Sequence, residues 1–178
     1  MFGAQRAMTF PTFSHLDADG QAQMVDVGGK TTTDRVAIAK SRLKMQATTG
    51  EAIRRSEVAK GDVLNVARIA GIQAAKQTSL LIPLCHLLPL DQVALRSEWL
   101  APDELEWTAE VRCSGKTGVE MEALVAASVA ALTVYDMAKA LDRSMHVTHV
   151  GLWHKAGGAG GRYARDEKLH SSESRDDD

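Results

Sequence analysis

From Met121 to Leu141 the chain reads MEALVAASVAALTVYDMAKAL, a run of helix-forming residues whose only charges are Glu122, Asp136 and Lys139. A helix that is apolar almost all round must be covered on more than one side. The rest of the 178 residues therefore has to supply that cover. Hydrophobic residues make up 44% and charged residues 25%, a balance that lets one core bury most of its own apolar surface, so a single domain is expected. With 21 Lys and Arg against 23 Asp and Glu the net charge is −2, which argues against a strongly basic nucleic-acid binder.

Patterning supplies the remaining elements. Val36, Ile38, Leu43 and Met45 fall in rough alternation among Lys and Arg, which predicts a half-buried strand over 35–45. Val63, Leu64, Val66, Ala67, Ile69, Ala70, Ile72, Ala74 and Ala75 have helical spacing, with Asp62 as N-cap, and predict a helix to about Leu81. Pro83 and Pro89 then bracket Leu84-Cys85-His86-Leu87-Leu88, a packed connector. Two alternating runs follow, Val93 to Trp99 and Leu105 to Cys113, separated by Ala101-Pro102-Asp103-Glu104 in the clearest hairpin of the chain. Val147, Val150, Leu152 and Trp153 suggest a closing strand. Strand, helix, hairpin, helix, strand is the order of an α+β, ferredoxin-like antiparallel sheet with two main helices packed on one face. The expected layout is an extended N-terminal arm over 1–33, one domain over 34–156 and a flexible tail over 157–178, Gly-rich and then acidic.

Cys85 and Cys113 are too few for a disulfide framework or a four-cysteine zinc site, and a reducing cytoplasm fits them best. Met1 to Pro11 lacks the apolar core of a signal peptide, and no window is expected to approach the ~20 apolar residues of a membrane span.

Several residue groups could carry chemistry. Gly29-Lys30 and Gly115-Lys116 look like phosphate loops, but the glycine required five places earlier is Met24 in one case and Glu110 in the other, so both read as plain turns. Cys85 and His86 are adjacent and point opposite ways in an extended segment, with no third or fourth ligand evident, so no metal site is expected; His86 suits hydrogen bonding or acid–base work, or is simply satisfied inside the connector. Asp136 and Lys139 share a helix face, and if the helix buries both they form either a structural ion pair or a poised acid–base pair with a lysine that holds its proton less tightly. Glu120 and Glu122 open the same helix, where negative charge also favours the dipole. Glu122 and Asp136 stand 14 residues apart, about 21 Å at ~1.5 Å per residue, so serving one small substrate needs a long ligand or a subunit interface. Lys60 and Arg68 flank the start of the earlier helix as a candidate anion site, and Lys76 further along reads as ordinary surface charge.

Taken together, Met24-Val25-Asp26-Val27, Lys60-Gly61-Asp62-Val63, Ala67 to Ile72, Leu81-Ile82-Pro83-Leu84-Cys85-His86, Thr117 to Leu124 and Leu132 to Met137 closely resemble molybdenum cofactor biosynthesis protein C, the cyclic pyranopterin monophosphate synthase family, from about Ser14 to Gly158. The resemblance implies a lyase that converts a GTP already cyclised between ribose and base into cyclic pyranopterin monophosphate with release of diphosphate. It further implies a homo-oligomer, a hexamer built as a trimer of dimers, with active sites at subunit interfaces and neither nucleic acid nor membrane as partner. By similarity Asp136 would be catalytic with Lys139 and Lys60 in the same pocket, and Leu84, Cys85, His86, Glu120, Met121 and Glu122 would contact substrate. The chemistry then assigns proton transfer to Asp136 and Lys139, with Lys60, Arg68 and His86 holding phosphate. No cofactor is required by the sequence, though Mg2+ can accompany the triphosphate without a protein site. Leu87 departs from the family's usual Pro, and Ala159 from its usual Lys in the glycine-rich segment, which puts phosphate binding there in doubt or shifts it to Arg162. The competing reading is a binding module that stacks RNA bases on Trp99 and Trp107 of the hairpin. An inactive family member kept for assembly would be expected to have lost at least one of Lys60, His86, Glu122, Asp136 and Lys139.

Overall fold

A computed structural model describes residues 19–166. The expected arm and tail lie in part outside them. The elements are β1 (Thr33–Lys44), α1 (Ala47–Arg54), α2 (Val63–Lys76), α3 (Thr78–Leu81), β2 (Gln92–Ala101), β3 (Glu104–Gly115), α4 (Glu120–Ala138), β4 (His146–Ala156) and β5 (Tyr163–Ala164). They form one antiparallel sheet in the order β2-β3-β1-β4-β5, whose first four strands have the ferredoxin-like arrangement.

Alternation builds the core. Ala37, Ala39, Ser41 and Leu43 of β1 and Leu105, Trp107, Ala109 and Val111 of β3 are fully buried on the face that α4 covers, while the intervening charged residues lie on the other face. There Glu106 is held by Lys40 and Arg42, each at 2.8 Å. Their hydrogen bonds and charge keep its carboxyl below the usual range despite its burial. Trp107 thus faces the helices, and Trp99 lies beneath the Arg54 guanidinium at 4.3 Å. Neither ring forms a stacking platform on the open face, so the RNA-binding reading loses its chief support.

α4 packs on α2, β1, β3 and β4. By length and composition it could cross a membrane, contrary to the expectation that no window comes close, yet half of it is buried inside the protein. Its fully buried residues include Ala123, Ala126, Ala127, Ala130 and Ala131, whose small side chains let the helix approach the sheet. The Ser41 hydroxyl donates to the Ala127 carbonyl at 2.7 Å, fixing α4 over the sheet centre.

Two differences from the sequence reading have local causes. The helix expected from Asp62 to Leu81 stops at Lys76 and resumes as α3, where buried Thr78 donates back to the Ala75 carbonyl at 3.0 Å. Helix α1 has no counterpart in the sequence reading. Its stretch ATTGEAIR is short, holds a glycine, and has no side-chain N-cap. Tertiary contact forms it: the buried Asp142 carboxylate accepts from the Gln46 backbone N–H at 2.8 Å and from Ser144 at 2.8 and 2.6 Å.

Gly71 of α2 marks the closest approach to α4. A Cβ there would strike Leu95, stand 2.8 Å from the Ala126 carbonyl oxygen and 3.3 Å from the Ala130 Cβ. Alanine improves helix propensity by about 0.5–1 kcal/mol, but overpacking against a backbone oxygen that cannot turn aside costs about 1–3 kcal/mol. Gly71→Ala is therefore expected to lower stability by about 1–2 kcal/mol in urea unfolding, with an unchanged m-value.

Candidate active site

The candidate residues gather at the two ends of α4. At its C-terminal end, Asp136 is gripped by two lysines. Lys139 Nζ lies 2.7 Å from Oδ1, and Lys60 Nζ lies 3.0 Å from Oδ2 and 2.8 Å from the Asp136 backbone oxygen. Lys60 is delivered by the turn before α2, where Gly61 takes a φ of 94° that favours glycine. Asp62 then caps α2 by accepting from the Asn65 N–H at 3.0 Å.

This cluster is not buried, which corrects the expectation of a desolvated pair. Asp136 is 58% and Lys139 51% exposed. With little desolvation the ion pairing decides the charges. Hydrogen bonds from Lys139 and then Lys60 hold the Asp136 carboxyl down at about 2, and Asp136 pushes the Lys139 ammonium up rather than down.

At the opposite end of α4 half-buried side chains surround one buried carboxyl. Leu84, Cys85, His86 and Leu88 of the connector face Thr117, Gly118, Glu120, Met121 and Glu122 around a cavity of about 260 Å³. Glu122 is only 4% exposed. Burial pushes its carboxyl up to about 7, helped by the Glu120 charge and opposed by a hydrogen bond from its own backbone N–H. Burial and then the Glu122 charge push the Cys85 thiol up as well, so it stays a neutral contact rather than a thiolate nucleophile.

Next to this cavity, and sharing Thr117, Gly118 and Glu120 with it, lies a second of about 260 Å³ that holds Lys30, Arg35, Lys116 and Lys155. The sequence reading missed all four as site residues. A signal existed for Lys30 and Lys116, each in a Gly-Lys turn read singly as a plain turn, while Arg35 and Lys155 lie in strands with no such mark. The β1–β3 register pairs Thr33 with Gly115 and thereby brings the two turns together, and Lys116 Nζ donates to the Gly28 carbonyl at 2.7 Å. Arg35 donates to the Gly115 and Lys116 carbonyls, both at 3.3 Å. Gly158, with a φ of 69°, lies against the Arg35 guanidinium where a Cβ would collide with it.

Other candidates fall elsewhere. Arg68 is half-buried and donates to Asn65 Oδ1 at 3.4 Å within its own helix, in neither cluster. Lys76 lines a separate cavity with Ile72, Leu88 and Leu90. Arg162 donates to His154 Nε2 at 3.2 Å and does not line the cationic cavity, so Lys155 rather than Arg162 is the cation beside Ala159. Among the described residues no three His, Cys, Asp or Glu side chains come together as a metal site.

A ferredoxin-like domain with a lysine–carboxylate cluster and a cation-lined cavity is suited to binding a small, negatively charged molecule. The MoaC family model matches residues 24–158, which include both clusters and all four cations of the cleft. The chain is 50% identical over 159 residues to cyclic pyranopterin monophosphate synthase of Desulfitobacterium hafniense, covering 89% of this chain and 98% of that protein. It is 53% identical over 158 residues to the synthase of Chloroflexus aggregans (86% and 94%), and 55% over 151 residues to that of Herpetosiphon aurantiacus (84% and 92%). The chain belongs to the MoaC family.

The raised Glu122 carboxyl has a consequence for stability. Its ordinary value is 4.5 and its folded value about 7, so between these the unfolded chain sheds the proton while the folded chain keeps it. Stability then falls as pH rises through that window, by an amount on the order of 2–3 kcal/mol, and levels off above it. Glu122→Gln should remove this slope. Thermal unfolding of both proteins at pH 5 and pH 8 is expected to show the variant gaining on the wild type at the higher pH, and a constant difference would contradict the assignment.

Proposed function

We propose that this chain is a cyclic pyranopterin monophosphate synthase, the lyase of molybdenum cofactor biosynthesis that converts (8S)-3′,8-cyclo-7,8-dihydroguanosine 5′-triphosphate into cyclic pyranopterin monophosphate and diphosphate. The observation that carries this reading is the pair of adjacent cavities at the start of α4, which share Thr117, Gly118 and Glu120, one largely apolar beside Cys85, His86 and Glu122 and the other cationic beside Lys30, Arg35, Lys116 and Lys155. A substrate with a purine-derived ring at one end and a triphosphate at the other matches both halves.

Forming the cyclic phosphate requires a sugar hydroxyl oxygen to attack the α-phosphorus as its proton passes to a base. The bond from that phosphorus to the bridging oxygen breaks, and the electron pair leaves with diphosphate. Cations along the phosphate chain stabilise the charge that develops there, and Asp136 and Lys139 move the protons. At neutral pH Asp136 is ionised and able to accept, and Lys139 is charged and able to donate. Lys60, 3.0 Å from Asp136 Oδ2, keeps the carboxylate in place. Leu84, Cys85, His86, Met121 and Glu122 hold the ring system, with Glu122 able to donate or accept near neutrality. Arg68, turned to Asn65, has no part in this assignment.

The two clusters occupy opposite ends of one helix, about 21 Å apart at ~1.5 Å per residue. One small substrate joins them only if the acid–base cluster of one subunit meets the cleft of another. A homo-oligomer with interface active sites follows, and a hexamer built as a trimer of dimers is the assembly we propose. Leu80 and Leu87, 83% and 80% exposed, supply apolar surface for such contacts. Magnesium can travel with the triphosphate. The free Cys85 and Cys113 suit a reducing cytoplasm.

Single-turnover conversion of the cyclised GTP, read as diphosphate release, tests the reading. Wild type should release diphosphate, while Asp136→Asn and Lys139→Met should each slow release about 10²–10⁴-fold. Absence of release by the assembled wild-type protein with intact substrate would overturn the function, and normal turnover by Lys139→Met would overturn its role. Mixed oligomers of Asp136→Asn and Glu122→Gln subunits, each impaired alone, are expected to recover part of the activity, because some interfaces then combine two intact halves.

A further inference from the structure

The four cations of the cleft are not equivalent. Arg35 and Lys116 donate to backbone carbonyls, which hold their positions and leave their charge uncancelled. Lys155 instead meets a carboxylate, Glu120 Oε1, at 2.9 Å. Among the described residues it is the one cation of this cleft in an ion pair. Glu120 is the first residue of α4 and lines both cavities, so it stands at the junction between the ring-binding and cationic halves. Its carboxylate folds back over Gly118, where a Cβ would collide with it. A phosphate chain running from one half to the other has to pass this negative charge.

Resting on the reading of the cleft as a phosphate site, we infer that Glu120 is a built-in competitor for phosphate: its carboxylate pairs with Lys155 and is displaced by the phosphate chain, which keeps diphosphate affinity low enough for the product to leave. The resemblance assigned Glu120 to substrate contact. The geometry gives it the opposite sign. A carboxylate facing a multiply charged anion repels it, and the Lys155 ion pair must open before phosphate can take its place. The ring half binds the substrate but not the product diphosphate, so a competitor here weakens the product more than the substrate in proportion to total affinity.

Titration of the assembled protein with inorganic diphosphate tests this. Glu120→Gln keeps the side-chain shape and removes the charge, and it should bind diphosphate roughly three- to tenfold more tightly than wild type. The product-inhibition constant for diphosphate should fall by the same factor. The gain should shrink when Lys155→Met is present in both proteins, leaving only the direct repulsion, since competition for that lysine is then gone. Structural damage would weaken binding, so unchanged or weaker binding by Glu120→Gln, or a gain undiminished by Lys155→Met, would overturn the inference. If wild type binds no diphosphate at all, the reading of the cleft as a phosphate site fails, which is a separate result.

Discussion

The structure depends on how closely α4 can lie on its neighbours. Its buried alanines, Ala123, Ala126, Ala127, Ala130 and Ala131, lie between the sheet and α2, and Gly71 lets α2 come within backbone distance of the Ala126 carbonyl and close to Ala130. Small side chains give up some apolar area per residue but allow many dispersion contacts at short range, so the interior stays dense. The Ser41–Ala127 hydrogen bond satisfies the buried Ser41 hydroxyl in that contact. A helix held this rigidly makes a good base for chemistry, because functional groups at both of its ends inherit its position.

Those ends place two carboxylates under opposite conditions. Glu122 is buried among Leu84, Leu88 and Met121, where desolvation favours the neutral form. Asp136 projects to the surface between two ammonium groups, where ion pairing favours the charged form. One helix therefore carries a carboxyl that keeps its proton near neutrality and another that has lost it, the kind of separation that lets similar groups take different roles.

The cationic cleft arises differently. No single segment resembles a phosphate-binding loop. Two ordinary Gly-Lys turns, the start of β1 and the end of β4 contribute one cation each, and the antiparallel register of β1 with β3 and β4 brings them to one corner of the sheet. The glycines after β4 fold over Arg35, which confines its guanidinium to the cleft wall. Each side chain is unremarkable alone. Clustering raises their combined pull on an anion far above that of scattered surface charges.

Much of the fold was legible in the chain because its signals are local. Alternation in 93–99 and 105–113 marked the hairpin, helical spacing after Asp62 marked α2, and the apolar run from Met121 marked α4. Helix α1 was hidden because its residues form a helix only once Asp142 and the turn at Pro102 pack against it. The same division holds for the site. Residue types and order, with the family resemblance, pointed to Asp136, Lys139, Lys60 and the Cys85–His86 and Glu120–Glu122 segments. Exposure and partnership were not readable: Asp136 looked buried from its apolar neighbours, and Lys30, Arg35, Lys116 and Lys155 looked like turn and surface charges. The sequence by itself determined the elements and the chemistry available at each end of α4, since periodicity and side-chain identity are properties of short segments. Only the tertiary structure decided which groups are desolvated and which cations meet, because those depend on contacts such as Lys60 with Asp136 and Lys116 with Gly28, 76 and 88 residues apart in the chain.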